Sequence, residues 1–392
     1  MKRARARRRC PVAESSIEWT DRVWNPVVGC TPVSPGCLNC YAARMAVRLE
    51  AMKVEGYGPR VEHTPERLGM PDAFGTKVIP AETRTVRIAE VRGANDLESG
   101  GGGGRPVFTG DVRLMPEKLG EPLKWRKPCR VFVNSMSDLF HEAVPDEFIR
   151  LVMAAMSFAG QHTFQVLTKR PERMAAWFAD PANSLSACQA EWVAAGISDE
   201  TPTGKHRIGR CGSDGSINGT CRGVGDGNHW PLPNVWLGTS VENQAAADER
   251  VPKLLRCPGR LFLSCEPLLE RVDLSRRGWL YSSGLRGRGR VIEWVIAGGE
   301  SGPEARACNI EHLRSLRDQC REVWVPFFLK QLGARPVLAS VYDTRLDWPE
   351  GTRFTRCEGG PWGRSIVLKD KKGGDPAEWP EDLRVREMPE VR

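Results

Sequence analysis

Short apolar segments alternate with helical segments between residues 130 and 331, and this alternation constrains the fold more than any other feature. Strands are predicted at 130–134, 163–167, 234–238, 260–263, 293–297 and 325–329, and helices at 145–159, 171–179, 244–256 and 310–321. Strands joined by helices form parallel sheets, and strands that are nearly all apolar are covered on both faces. With one more strand before residue 30, the six or seven units predict an α/β fold, a partial or irregular TIM-type (β/α) barrel. A doubly wound open sheet is the alternative.

Polar side chains follow the carboxyl ends of these strands, which is the face on which barrel enzymes build their sites. Lys169 and Arg170 are two cations that suit a carboxylate or a phosphate, and Pro171 begins the next helix. The pattern therefore favours an enzyme. Structural alternatives remain open: Asp138 as a helix cap, Glu242 as a charge at a helix N-terminus, and Lys169 in a surface ion pair.

Cys30, Cys37 and Cys40 lie in a loop rich in Pro and Gly, with the spacing C-x6-C-x2-C, ahead of a helix predicted at 42–52. A loop that presents three thiolates is typical of a metal or iron–sulfur site. A structural zinc has four protein ligands and a [4Fe-4S] cluster is usually held by four cysteines, so three leave one position open. An iron–sulfur cluster is favoured, and a zinc site completed by a distant His or Cys is the alternative.

Residues 18–42 resemble the phage Gp37/Gp68 family, a three-cysteine family of the DUF5131 type with the motif EWTxxxWNPxxGCxxxSPGCxxCYA. The matching residues are Glu18-Trp19-Thr20, Trp24-Asn25-Pro26, Gly29-Cys30, Ser34-Pro35-Gly36-Cys37 and Cys40-Tyr41-Ala42. The segments LTKR (167–170) and GGESG (298–302) also match that family. The family in turn resembles divergent radical S-adenosylmethionine (SAM) enzymes. Compared with those enzymes, the first cysteine gap is longer here, and the aromatic residue follows the last cysteine.

This resemblance implies that the three cysteines hold a [4Fe-4S] cluster and that SAM binds its open iron. Reductive cleavage of SAM, fed by an electron donor, would then give a 5′-deoxyadenosyl radical. Among the polar residues at the strand ends, the candidate catalytic residues are Lys169, Glu266 and Asp138. The candidate cofactor-binding residues are Ser240, Glu242, Asn243, Gly298, Gly299 and Glu300. The family occurs in phages and mobile elements, which indicates modification or repair of nucleic acid or a nucleotide. A zinc-binding, non-catalytic barrel that binds nucleic acid or protein is the alternative.

The rest of the chain sets limits on location and chemistry. No apolar run approaches the ~18 residues of a membrane span, and the basic segment 1–9 lacks the apolar core of a secretory signal. A cytoplasmic protein without a membrane partner is expected. The thirteen cysteines are therefore expected to be free thiols apart from the cysteine loop. No HExxH, Walker A or GxSxG motif is present, which disfavours the hydrolase and nucleotide-triphosphatase classes that carry them.

Composition divides the chain into four kinds of segment. Residues 1–14 are predicted to be a disordered basic arm, which supplies most of the net charge of +8. The barrel is predicted at 15–332, with insertions at 55–110 and 180–233, and a charged, Pro-rich extension follows at 333–392. The first insertion contains five consecutive glycines, which are typical of a flexible linker, and a short strand is predicted inside it at 86–91. The second is crowded with glycine and is expected to have low order. A second metal site is a weaker expectation, from Cys211, Cys221, His206 and His229.

Overall fold

The computed structural model describes residues 15, 17–54, 57, 88–91, 105–197, 230–275, 278–280, 291–339, 348–357 and 363–390. Its strands are β1 (Arg22–Trp24), β2 (Val27–Val28), β3 (Ile88–Val91), β4 (Arg105–Phe108), β5 (Arg113–Leu114), β6 (Arg130–Val133), β7 (Thr163–Thr168), β8 (Val235–Ser240), β9 (Arg260–Cys265), β10 (Ile292–Gly298), β11 (Cys308–Asn309), β12 (Phe327–Gln331), β13 (Pro336–Leu338), β14 (Arg353–Arg356) and β15 (Arg364–Val367). Its helices are α1 (Tyr41–Ala51), α2 (Asp146–Phe158), α3 (Pro171–Ala179), α4 (Leu185–Ala194), α5 (Gln244–Leu254) and α6 (Ile310–Glu322). The predictions for the basic arm, the five glycines and the second cysteine–histidine group lie outside the described residues.

One parallel sheet organises the molecule. Its seven strands follow the order β1-β6-β7-β8-β9-β10-β12, and every neighbouring pair is parallel. The sheet curls into a half-barrel, so the predicted α/β fold with a partial barrel is confirmed. The order follows the chain without a reversal, which excludes the doubly wound alternative, because that fold reverses strand order at a switch point.

The two faces of the sheet bury different residues. Side chains on the convex face pack with the helices into the main core, and they include Val131, Val133, Phe164, Val166, Leu237, Leu261, Leu263, Val295 and Leu329. Side chains on the concave face form a second, aromatic cluster with Trp19 from the chain before β1: Phe132, Trp236, Phe262, Trp294, Ile296 and Phe328. Gly238 makes room for this cluster, because a Cβ there would lie 2.5 Å from the Phe262 ring. Aromatic packing therefore fills the amino-terminal part of the half-barrel.

The chain after β12 returns to the outer edge of the sheet. The Leu329 N–H donates to Val385 O at 2.8 Å, and the Glu387 N–H donates to Phe327 O at 3.0 Å. The Trp379 side chain is fully buried in the main core. Strands β13, β14 and β15 form a small sheet with β11, which precedes α6. The segment predicted as an extension thus packs against the barrel domain.

Two parts of the predicted insertions are ordered. The expectation of low order throughout 180–233 is wrong for α4. This helix packs against α2 through Leu185, Cys188 and Trp192, all of them buried. Glycines crowd only the later part of that segment, so they give no information about this helix. Within 55–110, β3 and β4 pair as an antiparallel hairpin.

Two further expectations concern membrane spans and cysteines. Of the helices that the structure describes, none has the length and apolar character that a membrane crossing requires. None of the ten cysteines in the described part of the chain forms a disulfide.

Candidate functional site

The cysteine loop lies against the carboxyl ends of the strands, where sequence reasoning placed the site. Gly29, which precedes the first cysteine, has φ +92°, a conformation that favours glycine, and its N–H donates to Met136 O after β6. A short 3₁₀ turn, Pro35–Cys37, follows, and Cys40 is the N-cap residue of α1. The prolines and glycines keep this segment out of regular structure until the helix begins.

The three thiols have different acidities. Burial raises the pKa of Cys30 to about 12, and the nearby Asp138 carboxylate adds to the effect. Burial also raises the pKa of Cys40, although the N–H groups of Ala42 and Ala43 at the start of α1 oppose it. For Cys37, burial is outweighed by the Lys169 charge and by hydrogen bonds from the adjacent backbone, so its pKa is lowered.

The cysteines interact electrostatically with one another, since each of Cys37 and Cys40 affects the ionisation of Cys30. Even so, the described side chains contain no group of three or more His, Cys, Asp or Glu that is close enough to hold a single metal ion.

Asp138, which follows β6, is hydrogen-bonded to residues at the end of β7. Its carboxylate accepts hydrogen bonds from Thr168 Oγ1 at 2.7 Å, from the Lys169 N–H at 3.0 Å and from the Phe140 N–H at 3.0 Å. It also accepts one from Arg170 Nη1 at 3.1 Å. Four donors occupy both oxygens of a buried side chain, so this carboxylate fixes the turn after β7.

Arg170 connects that turn to the cysteine loop. Besides Asp138, its guanidinium donates to Glu142 Oε1 at 2.7 Å and to Thr31 O at 3.4 Å, and Nη1 lies 4.0 Å from Cys30 Sγ. Arg170 is therefore committed to a buried network, and it is not available as a second free cation beside Lys169.

His141 also binds the cysteine loop, at Thr31. His141 Nδ1 accepts the Ala143 N–H at 3.1 Å, so Nε2 carries the proton and donates to Thr31 Oγ1 at 2.7 Å. Burial and the Arg170 charge lower the pKa of His141, which keeps the ring neutral. Thr31, the residue after Cys30, therefore has its carbonyl bound by Arg170 and its hydroxyl bound by His141.

Lys169 remains free at the centre of the site. Its ammonium is close enough to Cys37, Cys40 and Glu242 to favour the ionised form of each. In the described part of the chain it has no ion-pair partner, because Glu242 pairs with Arg250 and Glu266 pairs with Lys330. Neither glutamate forms an ion pair with Lys169 or Arg170 in this structure. An unpaired cation beside thiols and a carboxylate is suited to an anionic group of a ligand.

Glu242 follows β8 and is only 1 % exposed. Its Oε2 accepts from Arg250 Nη1 at 2.9 Å, whereas the buried Oε1 has no hydrogen-bond partner in the described part of the chain. Burial opposes its ionisation, but the Ser34 hydroxyl and the charges of Arg250 and Lys169 lower its pKa overall. The Ser34 hydroxyl is near the carboxylate without forming a hydrogen bond of normal geometry to Oε1. A buried carboxylate oxygen without a protein donor can accept a hydrogen bond from a ligand or from water.

Glu266 follows β9 and completes the polar rim on the concave face. Its Oε1 lies 3.1 Å from Lys330 Nζ, and its Oε2 accepts from Ser264 Oγ at 3.2 Å. Gly298 lies beside it, since a Cβ there would be 3.1 Å from Glu266 Oε1. Along β9 and β12, the charged residues Glu266 and Lys330 therefore lie on the carboxyl-terminal side of the aromatic cluster.

Three predicted cofactor contacts have structural roles in the fold. Asn243 is the N-cap residue of α5, where its Oδ1 accepts the Ala246 N–H at 2.9 Å. A Cβ on Gly298 would contact the Gln331 backbone, and one on Gly299 would collide with the Leu332 carbonyl, so these glycines allow close packing of β10 against β12. Ser240 is buried at the end of β8, two residues before Glu242.

Glu300 is also fully engaged. Its Oε2 accepts from Asn39 Nδ2 at 2.9 Å and from the Arg306 N–H at 2.9 Å, and its Oε1 accepts from Arg306 Nη2 at 2.7 Å. Arg306 lowers the pKa of this buried carboxyl against the opposing effect of burial. Glu300 thus contacts the cysteine loop through Asn39, and both its oxygens bind protein groups.

Sequence reasoning did not find four residues that shape the site: Arg250, Arg306, Asn39 and His141. Arg250 lies two turns into α5 and Arg306 in a loop after β10, and nothing in their local pattern links them to the cysteines.

Residues 14–344 match the model of a family described as "Protein of unknown function (DUF5131)". No curated protein has a significantly similar sequence. Among solved structures, a tyrosine-to-phenylalanine mutant of spore photoproduct lyase is similar at 8% identity and a TM-score of 0.28, with 89% of this chain and 91% of that chain covered. A cysteine-to-serine mutant of the same lyase gives 9% identity and the same TM-score of 0.28, with the same coverage. A likeness at this level carries no argument about activity.

Proposed function

This chain belongs to the DUF5131 family, and we propose that it acts as a radical SAM-like iron–sulfur enzyme on nucleic acid or a nucleotide. The observation that carries the proposal is the position of the cysteine loop. Three thiols from one loop meet the carboxyl rim of a parallel half-barrel, beside the unpaired Lys169 ammonium and the unpartnered Oε1 of Glu242 in the part of the chain described. Parallel barrels carry their chemistry on this face.

The donor set fits a [4Fe-4S] cluster better than a single zinc ion. Each thiolate of a cluster binds a different iron, so the ligand sulfurs lie farther apart than around one ion. Three thiols on one loop leave one iron of a cluster open, whereas a structural zinc ion takes four protein ligands. Cys30, Cys37 and Cys40 would hold the cluster, which together with SAM supplies one-electron chemistry.

The surrounding residues of this chain have separate tasks in the proposal. Lys169 binds an anionic group, and Glu242 and Ser240 accept donors of the bound cofactor. Glu266 and Lys330 form the rim that substrate meets. Asp138 serves by fixing Arg170 and the Lys169 backbone, since its own oxygens are occupied. The aromatic cluster beneath the rim excludes water from that end of the half-barrel.

The cation at the rim and the net charge of +8 support a polyanionic or phosphorylated substrate. Modification or repair of nucleic acid fits these charges. The test uses protein made and handled without oxygen, reduced with dithionite and mixed with SAM, with 5′-deoxyadenosine measured by chromatography. We expect SAM cleavage that rises when DNA or nucleotides are added, and that is lost in Cys37→Ala. Cys357→Ala, at a half-buried thiol outside the loop, is the matched control. SAM that stays intact in reduced, cluster-loaded protein would contradict the proposal.

A further inference from the structure

The segment after β10 binds the cysteine loop on both sides of Cys37. On one side, Asn39 Nδ2 donates to Glu300 Oε2 at 2.9 Å and to Glu304 O at 2.8 Å. On the other side, Arg306 Nη1 donates to Pro35 O at 2.8 Å. The two attachment points enclose the short turn that carries Cys37.

Glu300 and Arg306 form one unit across this contact. Arg306 donates to Glu300 through its backbone N–H at 2.9 Å, through Nε at 3.1 Å and through Nη2 at 2.7 Å. Hydrogen bonds between charged groups are about twice as strong as those between neutral groups. The carboxylate is 7 % exposed, so little water competes for it.

The segment that carries Glu300 is hydrogen-bonded to, and closely packed against, the end of β12 and the chain that follows it. The Ala334 N–H donates to Glu300 O at 2.8 Å, and the Gly299 N–H donates to Gln331 O at 3.0 Å. A Cβ on Gly299 would collide with the Leu332 backbone, so the chain here is packed directly against the segment after β12. The cysteine loop is thereby attached to the strand ends and not to solvent-exposed chain.

We infer that Glu300 and Arg306 are positioning residues that hold the turn around Cys37 against the barrel rim. This inference rests on the proposed function for its purpose, which is to keep the three thiolates at fixed separation. The Gly-Gly-Glu-Ser-Gly segment then serves the loop through protein contacts, and Glu300 does not itself contact the cofactor. Asn39 is the residue of the loop that binds the carboxylate.

The test measures access to the thiols in the full chain after treatment with an iron chelator. Iodoacetamide labelling of Cys37 and Cys40 is followed by peptide mass spectrometry, with Cys129 as an internal reference. In Glu300→Gln we expect labelling of both loop thiols, relative to Cys129, to rise about tenfold, the factor that loss of one charge-assisted hydrogen bond allows for local opening. Labelling at two pH values separates a change in access from a change in thiolate fraction.

Two further variants keep the result interpretable. Glu191→Gln removes a carboxylate that pairs with Arg150 at 3.1 Å on α4, away from the loop, and is expected to leave the labelling ratio unchanged. Asn39→Ala removes only the loop's end of the contact and leaves the Glu300–Arg306 pair intact, so it tests the inference if Glu300→Gln fails to fold. An unchanged ratio in folded Glu300→Gln or in Asn39→Ala overturns the inference. Because the chelated protein is used, a wild-type chain that binds no cluster refutes the proposed function and leaves this result standing.

Discussion

Glu242 and Gly36 are in contact: a Cβ built on Gly36 would lie 3.2 Å from Glu242 Cδ and 3.4 Å from Oε1. Gly36 is the residue before Cys37, and Glu242 follows the fourth strand of the sheet. The close approach brings a buried carboxylate, one oxygen of which has no partner among the described residues, to the backbone of the cysteine loop. The loop and the barrel rim therefore form one site.

Gly36→Ala is expected to destabilise the protein by about 1 kcal/mol, because the added methyl group presses on a carboxylate that Arg250 holds in place. The shifted loop should also bind less iron. Urea unfolding and iron content measure the two effects. Gly120→Ala is the control, since a Cβ there has no atom within 4 Å, and it should change neither quantity by much. If Gly36→Ala and Gly120→Ala had the same unfolding free energy and the same iron content, the contact between Gly36 and Glu242 would not affect stability or iron binding.

Arg250→Met is expected to cost about 3–5 kcal/mol at neutral pH, the usual effect of leaving a buried charge without its partner. The pKa of Glu242 is lowered in the wild type, so its contribution to stability is present above the ordinary glutamate pKa and is lost as pH falls through the folded pKa. The stability gap between wild type and variant should therefore narrow in acid. Urea unfolding at neutral pH and at a pH well below the ordinary glutamate pKa measures it. A gap that is equal at both pH values would refute this account of Glu242.

Asp138→Asn should destabilise by about 3 kcal/mol, because an amide nitrogen cannot accept the donors that the second carboxylate oxygen now binds. Asp21→Asn is the comparison: Asp21 pairs with Arg130 at 2.6 Å, but both side chains are partly exposed, so a loss below about 1 kcal/mol is expected. Thermal unfolding of the two variants measures the difference. Similar losses would mean that Asp138 does not anchor the turn after the β7 strand.

Lys169→Gln should leave stability within about 0.5 kcal/mol of wild type, because no ion pair in the described residues is lost. Binding of SAM to the anaerobically reconstituted protein should weaken about tenfold, the loss expected for one charge-assisted contact to an anionic group. Titration calorimetry measures the affinity. Lys253→Gln, which removes a partly exposed lysine paired with Glu172 at 3.0 Å, should bind SAM normally. Unchanged binding by Lys169→Gln would remove this residue from the site.

The sheet was largely predictable from the sequence because its strands are apolar on both faces and helices separate them. The predicted helix 171–179 coincides with Pro171–Ala179, and the strand predicted at 163–167 ends one residue later, at Thr168. Strands β8 and β9 run two residues further than predicted, to Ser240 and Cys265, since polar or small side chains at these ends are buried by the neighbouring strands.

The partners within the site were not predictable. The strand-end rule places Lys169, Glu242, Glu266 and Glu300 on one rim, which the structure agrees with. It does not say which cation each glutamate meets, because Arg250 and Arg306 come from a helix and a loop. The helix α4 was missed because it lies in a stretch that ends in glycines, and its apolar residues show little amphipathic periodicity.

The metal content of protein made without oxygen tests the central claim most directly. Iron, acid-labile sulfide and zinc are measured per chain in the wild type, in Cys37→Ala and in Cys357→Ala. The account predicts about four iron and about four sulfide per chain in the wild type and in Cys357→Ala, with little of either in Cys37→Ala. One zinc per chain, without sulfide, in the wild type would contradict it.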